Sequence, residues 1–267
     1  MGNSTPKIIH CCWLGNNPKP DLVKKCIASW KKVLPDWQIM EWSEENSAQV
    51  ENNFFKKALQ YKKWAFAADY LRLWVLNEYG GIYLDTDMEV IKPLDKFLEH
   101  NFFIGIESFS SGTGSSIIGA AKGHFIIKDL LELYEKETFI KPNGRYNLKP
   151  INARIRKYFK KKLKYSPKKM QNAPLHLAEG IFIYPGEYFY PLEYIKSTEN
   201  TCTIHYYANS WGEDWGTRTW INSSKYALHL FKKHNKSAVE LPLLENEKLC
   251  FSIKLSAIKV LAVVRKG

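Results

Sequence analysis

Residues 65–88 read AFAADYLRLWVLNEYGGIYLDTDM, and this run constrains the architecture more than any other part of the chain. Apolar residues at helical spacing predict a helix from about Lys63 to Tyr79, closed by Gly80-Gly81. The glycine pair lets the chain turn sharply from helix to strand. Ile82 to Leu84 is a short apolar strand, and Asp85-Thr86-Asp87 follows with no spacer. Ligands in open α/β sheets bind beyond the carboxyl ends of strands. Two carboxylates this close repel each other unless a cation sits between them. A divalent metal with oxygen ligands and open positions for a diphosphate would resolve that. Taken alone, D-x-D reads equally well as a solvated turn, because Asp is common in turns.

The flanking sequence repeats the alternation. Ile8 to Trp13 reads as a buried first strand and Trp37 to Trp42 as a second. Between them Leu22, Cys26, Ile27, Trp30, Val33 and Leu34 share one helical face, and Pro35 stops the helix. Phe102 to Ile106 is another strand, and helical patterns recur around Phe125 to Lys136 and Ile151 to Leu163. Alternating strands and helices predict an α/β layered domain with a mainly parallel sheet. The Gly/Ser-rich stretch Ser108 to Ser116 is expected to be a flexible loop. The apolar, basic tail from Lys248 is expected to be helical, either packed on the domain or lying on a membrane surface.

With these residues in place, the run resembles the DXD-containing sugar transferases of glycosyltransferase family 32, with the clostridial glucosylating toxins as distant relatives. The family pattern is approximately [SA]-D-x-x-R-x-x-x-L-x-x-x-G-G-x-Y-x-D-x-D. Asp69, Arg72, Leu76, Gly80, Gly81, Tyr83, Asp85 and Asp87 match it in order and spacing. The opening IIHCCWLG also resembles the family's first strand, through Ile9, His10, Trp13 and Gly15. The resemblance implies a GT-A type fold, a Rossmann-like sheet flanked by helices. It implies a catalytic domain over 1–220 and leaves 221–267 as a C-terminal helical extension, a candidate membrane contact.

The resemblance also implies roles. Asp69 and Arg72, neighbours at i and i+3, would contact the donor sugar, although such a pair is also an ordinary ion pair of little energetic weight. Asp87 is expected to bind a divalent metal directly. Asp85 would reach the ribose or sugar, or the metal through water. Tyr83 points either toward the ligand or into the core. Trp13 would stack on the uracil ring, its alternative being a core aromatic. Family catalytic domains end in a His followed by Ser-Trp, and His205 with Asn209-Ser210-Trp211 occupies that register. His205 is the expected third ligand, with Asn209 or Ser210 as the alternative. Ser210 and Trp211 would donate to the diphosphate from a closing loop. The implied cofactor is Mn²⁺ or Mg²⁺ and the implied donor a UDP-sugar, with retention at the anomeric carbon. The acceptor would be an oligosaccharide or lipid-linked saccharide, as in capsule or O-antigen assembly.

Charge bears on partners. The formal net charge is +12, and residues 141–169 hold twelve Lys or Arg and no Asp or Glu. Without that segment the two signs balance. The patch reads as a solvated surface or as a contact for anionic lipid headgroups. Aromatic residues interleave with it, but no nucleic-acid motif accompanies them, so no nucleic-acid partner is expected. No apolar run reaches the length of a membrane span and nothing resembles a signal peptide. A cytoplasmic protein with reduced thiols, peripheral on the inner membrane face, is the expectation.

Four rival readings are weaker. ANSWGEDWGT, residues 208–217, resembles the Asn phrase of papain-like proteases, and HCCWLG their nucleophile. However, none of the seven histidines lies about 130–150 residues after Cys12, and no Gln precedes the cysteines. A haloacid-dehalogenase-type phosphatase would need Thr or Val where Glu89 stands. A nucleotide-sugar binder without turnover, or a toxin-like protein glycosyltransferase, remains a rival that assay must separate.

Overall fold

A computed structural model describes residues 4–108, 112–165, 173–191, 197–208, 218–222, 226–231, 250–255 and 258–266. The chain divides into two compact units, Met1–Tyr207 and Ala208–Gly267.

The first unit runs β1 (Ile8–Cys12), α1 (Asp21–Val33), β2 (Gln38–Trp42), α2 (Asn53–Gln60), α3 (Trp64–Tyr79), β3 (Gly81–Leu84) and β4 (Met88–Val90). It continues with β5 (Phe102–Ser108), β6 (Gly112–Ala120), α4 (Phe125–Glu135), α5 (Ile151–Lys162), β7 (Leu175–Ala178), β8 (Ile181–Tyr184), α6 (Gly186–Phe189) and β9 (Thr203–His205). Seven strands form one sheet in the order β2-β1-β3-β6-β5-β8-β7. β2, β1, β3, β5 and β8 point one way, while β6 and β7 run against them. The mainly parallel α/β sheet expected from the sequence is therefore present. A separate two-stranded ladder joins β4 to β9.

The helix α3 is buried along most of its length, from Phe66 to Leu76. An almost wholly apolar helix must be covered on every side, and α3 packs against α2, α4 and α5 as well as β1, β3 and β6. Its C-terminus needs both glycines. Gly80 and Gly81 have φ of +68° and +110°, a region that L side chains rarely adopt. A Cβ on Gly80 would lie 2.6 Å from the Lys122 amide nitrogen, and one on Gly81 2.6 Å from the Ile8 carbonyl oxygen. The turn thus seats β3 directly beside β1.

His10 locks this corner. Trp42 Nε1 donates to His10 Nδ1 at 3.1 Å, so Nε2 carries the proton and donates to the Gly80 carbonyl at 2.8 Å. One imidazole thereby ties β1 to β2 and to the α3–β3 turn. His10 is thus structural in this chain.

Two expectations need correction. Residues 112–116, expected within a flexible loop, begin the long buried strand β6. Its glycines make room for aromatic rings: a Cβ on Gly119 would fall 1.9 Å from Phe103 Cε1. Glycine in a strand often marks such a close approach. The second correction concerns the C-terminal unit, described by itself. Its elements are strands, β10 (Arg218–Asn222), β11 (Tyr226–Phe231), β12 (Cys250–Leu255) and β13 (Ile258–Lys266), not helices. They form an antiparallel sheet in the order β10-β11-β13-β12. IKVLAVVRK is rich in β-branched residues, which favour a pleated surface over a helix. The unit also begins at Ala208, ahead of the boundary expected at 220.

Candidate active site

Asp85 and Asp87 follow β3 at its carboxyl end, in a tight turn. The Met88 amide donates to the Asp85 carbonyl at 3.1 Å, and the Asp85 amide to the Ser116 carbonyl at 2.8 Å. Trp30 of α1 reaches across to donate its indole N–H to the Met88 carbonyl at 2.7 Å, fixing the far side of the turn. The β4–β9 ladder pairs Met88 with His205, and the Tyr206 amide donates to the Asp87 carbonyl at 3.1 Å. Residue 205 is thus carried to residue 87 by a hydrogen-bonded register.

The result is one cluster. Ligand atoms of Asp85, Asp87 and His205 lie within 4.8 Å of one another. His205 Nε2 is 3.2 Å from Asp87 Oδ1, close to the separation of about 3 Å between adjacent ligands each about 2.1 Å from one ion. The buried His205 Nδ1 has no hydrogen-bond partner among the described residues. A buried polar atom left unpaired costs about 1–3 kcal/mol, and an ion on Nε2 would still leave Nδ1 to find a partner. Burial alone would lower the His205 pKa, but the charge of Asp87 and its hydrogen bond, with Asp85 and Glu107 behind them, raise it instead. Two carboxylates and an imidazole suit Mn²⁺, and less closely Mg²⁺, which prefers oxygen ligands. The residues present fit the metal that the sequence implied.

Behind the cluster sits a buried charge network. Arg72 Nη1 donates to Asp85 Oδ1 at 3.1 Å and to the Ser115 carbonyl at 2.8 Å. Its Nη2 lies 3.3 Å from Asp69 Oδ1. Tyr83 donates its hydroxyl to the same Asp85 oxygen at 3.1 Å, and the Arg72 guanidinium lies 4.5 Å over the Tyr83 ring. Tyr83 is therefore a buried support for Asp85. Desolvation would lower the Arg72 pKa, yet Asp85, Tyr83 and Asp69 together raise it. Burial lifts the Asp69 carboxyl to about 6, against the pull of Arg72 and of the Ile151 amide, which donates to Asp69 Oδ2 at 2.9 Å. With side chains only 12% and 6% exposed, Asp69 and Arg72 first of all hold each other and Asp85.

Trp13 stands just beyond β1, next to β3 in the sheet, with its indole N–H on the Asn17 carbonyl at 2.7 Å. It is 9% exposed. Asn209, Ser210 and Trp211 lie outside the described residues. The cysteine reading fails on physical grounds. Cys11 and Cys12 are fully buried on β1, and burial pushes the Cys12 thiol up to about 12, the reverse of a reactive thiolate.

Several residues of this region carry no signal in the sequence. Glu107, Asn152, the Ser115 carbonyl and the Ile151 amide reach the site only through pairing of strands and helices far apart in the chain. The basic segment is also more divided than its composition suggests. Arg154 is buried, pairs with Glu137 and lies 4.4 Å over the Tyr134 ring. Lys157, Lys160, Lys161 and Lys162 of α5 are exposed.

Residues 20–104 match the family described as glycosyltransferase sugar-binding region containing DXD motif. The chain is 30% identical over 126 residues to inositol phosphoceramide mannosyltransferase 3 of Schizosaccharomyces pombe, covering 45% of this chain and 34% of that protein. It is 25% identical to an uncharacterized glycosyltransferase of Acanthamoeba polyphaga mimivirus, covering 79% of this chain and 83% of the relative. The chain thus spans about a third of the first relative's length. Among solved structures, a galactosyltransferase in complex with donor and acceptor sugar analogs is 13% identical. It covers 76% of this chain and 87% of its own, with a TM-score of 0.44.

Proposed function

From a chain whose residues 20–104 carry the sugar-binding region of the DXD-containing glycosyltransferases, we propose a metal-dependent, retaining hexosyltransferase that uses a UDP-sugar. The observation that carries this reading is the Asp85–Asp87–His205 cluster at the carboxyl end of β3. These three residues would hold a divalent ion, which when bound neutralises the charge developing on the leaving diphosphate.

The chain's own residues do the positioning. Arg72 and Tyr83 fix Asp85 by two donors on one oxygen. Two donors converging on one oxygen restrict its rotation, so the carboxylate keeps its aim as a nucleotide enters. Asp69 and Arg72 would contact the donor sugar, the acid accepting from its hydroxyls. Trp13 offers the base a stacking surface. Asn209, Ser210 and Trp211 remain proposed donors to the diphosphate.

A second donor reading rests on the fission-yeast relative, whose name gives mannosyl transfer to inositol phosphoceramide. Mannose from GDP-mannose is the alternative donor for this chain. That name also favours an acceptor presented at a lipid surface, which the exposed lysines of α5 would approach; capsule or O-antigen assembly at the cytoplasmic membrane face is one such setting.

The test is a panel of UDP-glucose, UDP-galactose, UDP-N-acetylglucosamine, UDP-N-acetylgalactosamine and GDP-mannose, each with Mn²⁺ or EDTA. Metal-dependent release of nucleotide from one donor is expected. Binding without release from any donor, with or without saccharide acceptors, would favour a non-catalytic nucleotide-sugar binder.

A further inference from the structure

A third carboxylate stands at the same sheet edge. β5 runs parallel to β3 with only β6 between them, so both strands end on the same side. Glu107 lies near the end of β5, where the β5–β6 register shifts between Ile106 and Ser108. Such bulges re-aim a side chain and are over-represented beside active sites.

Two features place Glu107 against the site. A Cβ on Gly114 would lie 2.5 Å from Tyr190 Oη and 2.9 Å from Glu107 Cβ, so a glycine is needed for these two side chains to come together. The Tyr190 ring is in turn 5.9 Å from the His205 ring, centroid to centroid. From the other side, Asn152 Nδ2 donates to Glu107 Oε2 at 3.2 Å. The preceding residue, Ile151, donates its amide to Asp69. One turn at the start of α5 therefore holds two carboxylates, Asp69 and Glu107. Asn152 Oδ1 is buried with no hydrogen-bond partner among the described residues.

We propose that Glu107 and Asn152 form a saccharide subsite beside the Asp85–Asp87–His205 cluster, reading a pair of sugar hydroxyls. The Glu107 carboxylate accepts from one hydroxyl, and the buried Asn152 carbonyl accepts from the second. With its N–H spent on Glu107, the Asn152 amide offers its carbonyl beside the carboxylate, two acceptors for neighbouring hydroxyls, and leaving the Asn152 carbonyl unpaired is costly. The hydroxyls belong either to the hexose being transferred or to its acceptor. This subsite rests on the glycosyltransferase reading above.

The experiment compares wild type, Glu107→Gln, Glu107→Asp and Asn152→Ala, each checked for an unchanged melting temperature. UDP with Mn²⁺ is the control ligand, because it lacks a sugar to transfer. Calorimetric affinity for UDP and Mn²⁺ should match wild type in all variants. Turnover of the nucleotide sugar selected by the panel should fall about tenfold or more in Glu107→Gln and Asn152→Ala, with partial recovery in Glu107→Asp. Loss of both donor hydrolysis and transfer assigns the donor hexose; loss of transfer alone, with a raised acceptor KM, assigns the acceptor. Turnover within twofold of wild type in Glu107→Gln overturns the subsite. So does a parallel loss of UDP–Mn²⁺ affinity, which would place Glu107 with the metal and nucleotide instead. A wild type that turns over no donor fails the functional reading itself, a result separate from either of these.

Discussion

At the scale of single residues, the site depends on how few charges are left without a partner. Arg72 pairs with both Asp69 and Asp85 and also satisfies the Ser115 carbonyl. Removing one partner from a buried ionic network leaves uncompensated charge, at a cost of about 3–5 kcal/mol. Arg72→Met should lose stability on that order by urea unfolding at pH 7. Lysine, a point donor on a flexible stem, cannot bridge three acceptors, so Arg72→Lys should recover only part of the loss. His10 gives a prediction in pH. Burial holds its pKa down to about 4, with the Gly80 carbonyl acting weakly the other way, against 6.5 in an unfolded chain. Above pH 6.5 both states are neutral and the full stability is present. As pH falls from 6.5 to 4, the unfolded imidazole takes a proton that folded His10 refuses, and up to about 3 kcal/mol is lost. Asp69 acts in the opposite sense: its folded pKa of about 6 exceeds the unfolded 3.8, so it adds stability as pH falls through that range. The contribution of His10 is therefore read as a difference. Unfolding free energies of wild type and His10→Gln should diverge least at pH 4 and most at pH 7, and a gap independent of pH would contradict the assignment.

At the scale of elements, the α3–β3 turn and the β4–β9 ladder determine where the ligand atoms stand. Gly81→Ala combines strain at φ +110° with a contact of 2.6 Å to the Ile8 carbonyl oxygen. A loss of about 1–3 kcal/mol is expected from the backbone alone, together with weaker Mn²⁺ binding, because β3 carries Asp85 and Asp87. Unchanged metal affinity in a folded Gly81→Ala protein would separate the turn from the site. The exposed Lys157, Lys160 and Lys161 of α5 make a separate prediction. At roughly 1 kcal/mol per basic residue near an anionic surface, reversing all three to Glu should abolish low-salt retention on phosphatidylserine vesicles. Equal retention by wild type and the variant would remove α5 from any membrane role.

Across the whole molecule, local patterns in the sequence were legible and pairings between distant segments were not. The helix–glycine–strand–acid run already carried α3, β3 and the acid pair, because burial, turn chemistry and strand length are all set within 24 residues. His205 was legible only through a motif register; the ladder with β4 that brings it to Asp87 has no local signature. Glu107 and Asn152 sit 45 residues apart and meet through the packing of α5 on β6. Residues 112–116 of β6 look like loop because Gly114 answers to the Tyr190 ring, a neighbour with no local signature. The central claim is that Asp87, with Asp85 and His205, holds the metal on which sugar transfer depends. Its most direct test is nucleotide release from the donor panel by wild type and by Asp87→Asn, with Mn²⁺ and with EDTA. Release from one donor is predicted, abolished by EDTA and reduced on the order of 100-fold in Asp87→Asn. Release that persists in EDTA, or an Asp87→Asn protein as active as wild type, would contradict it.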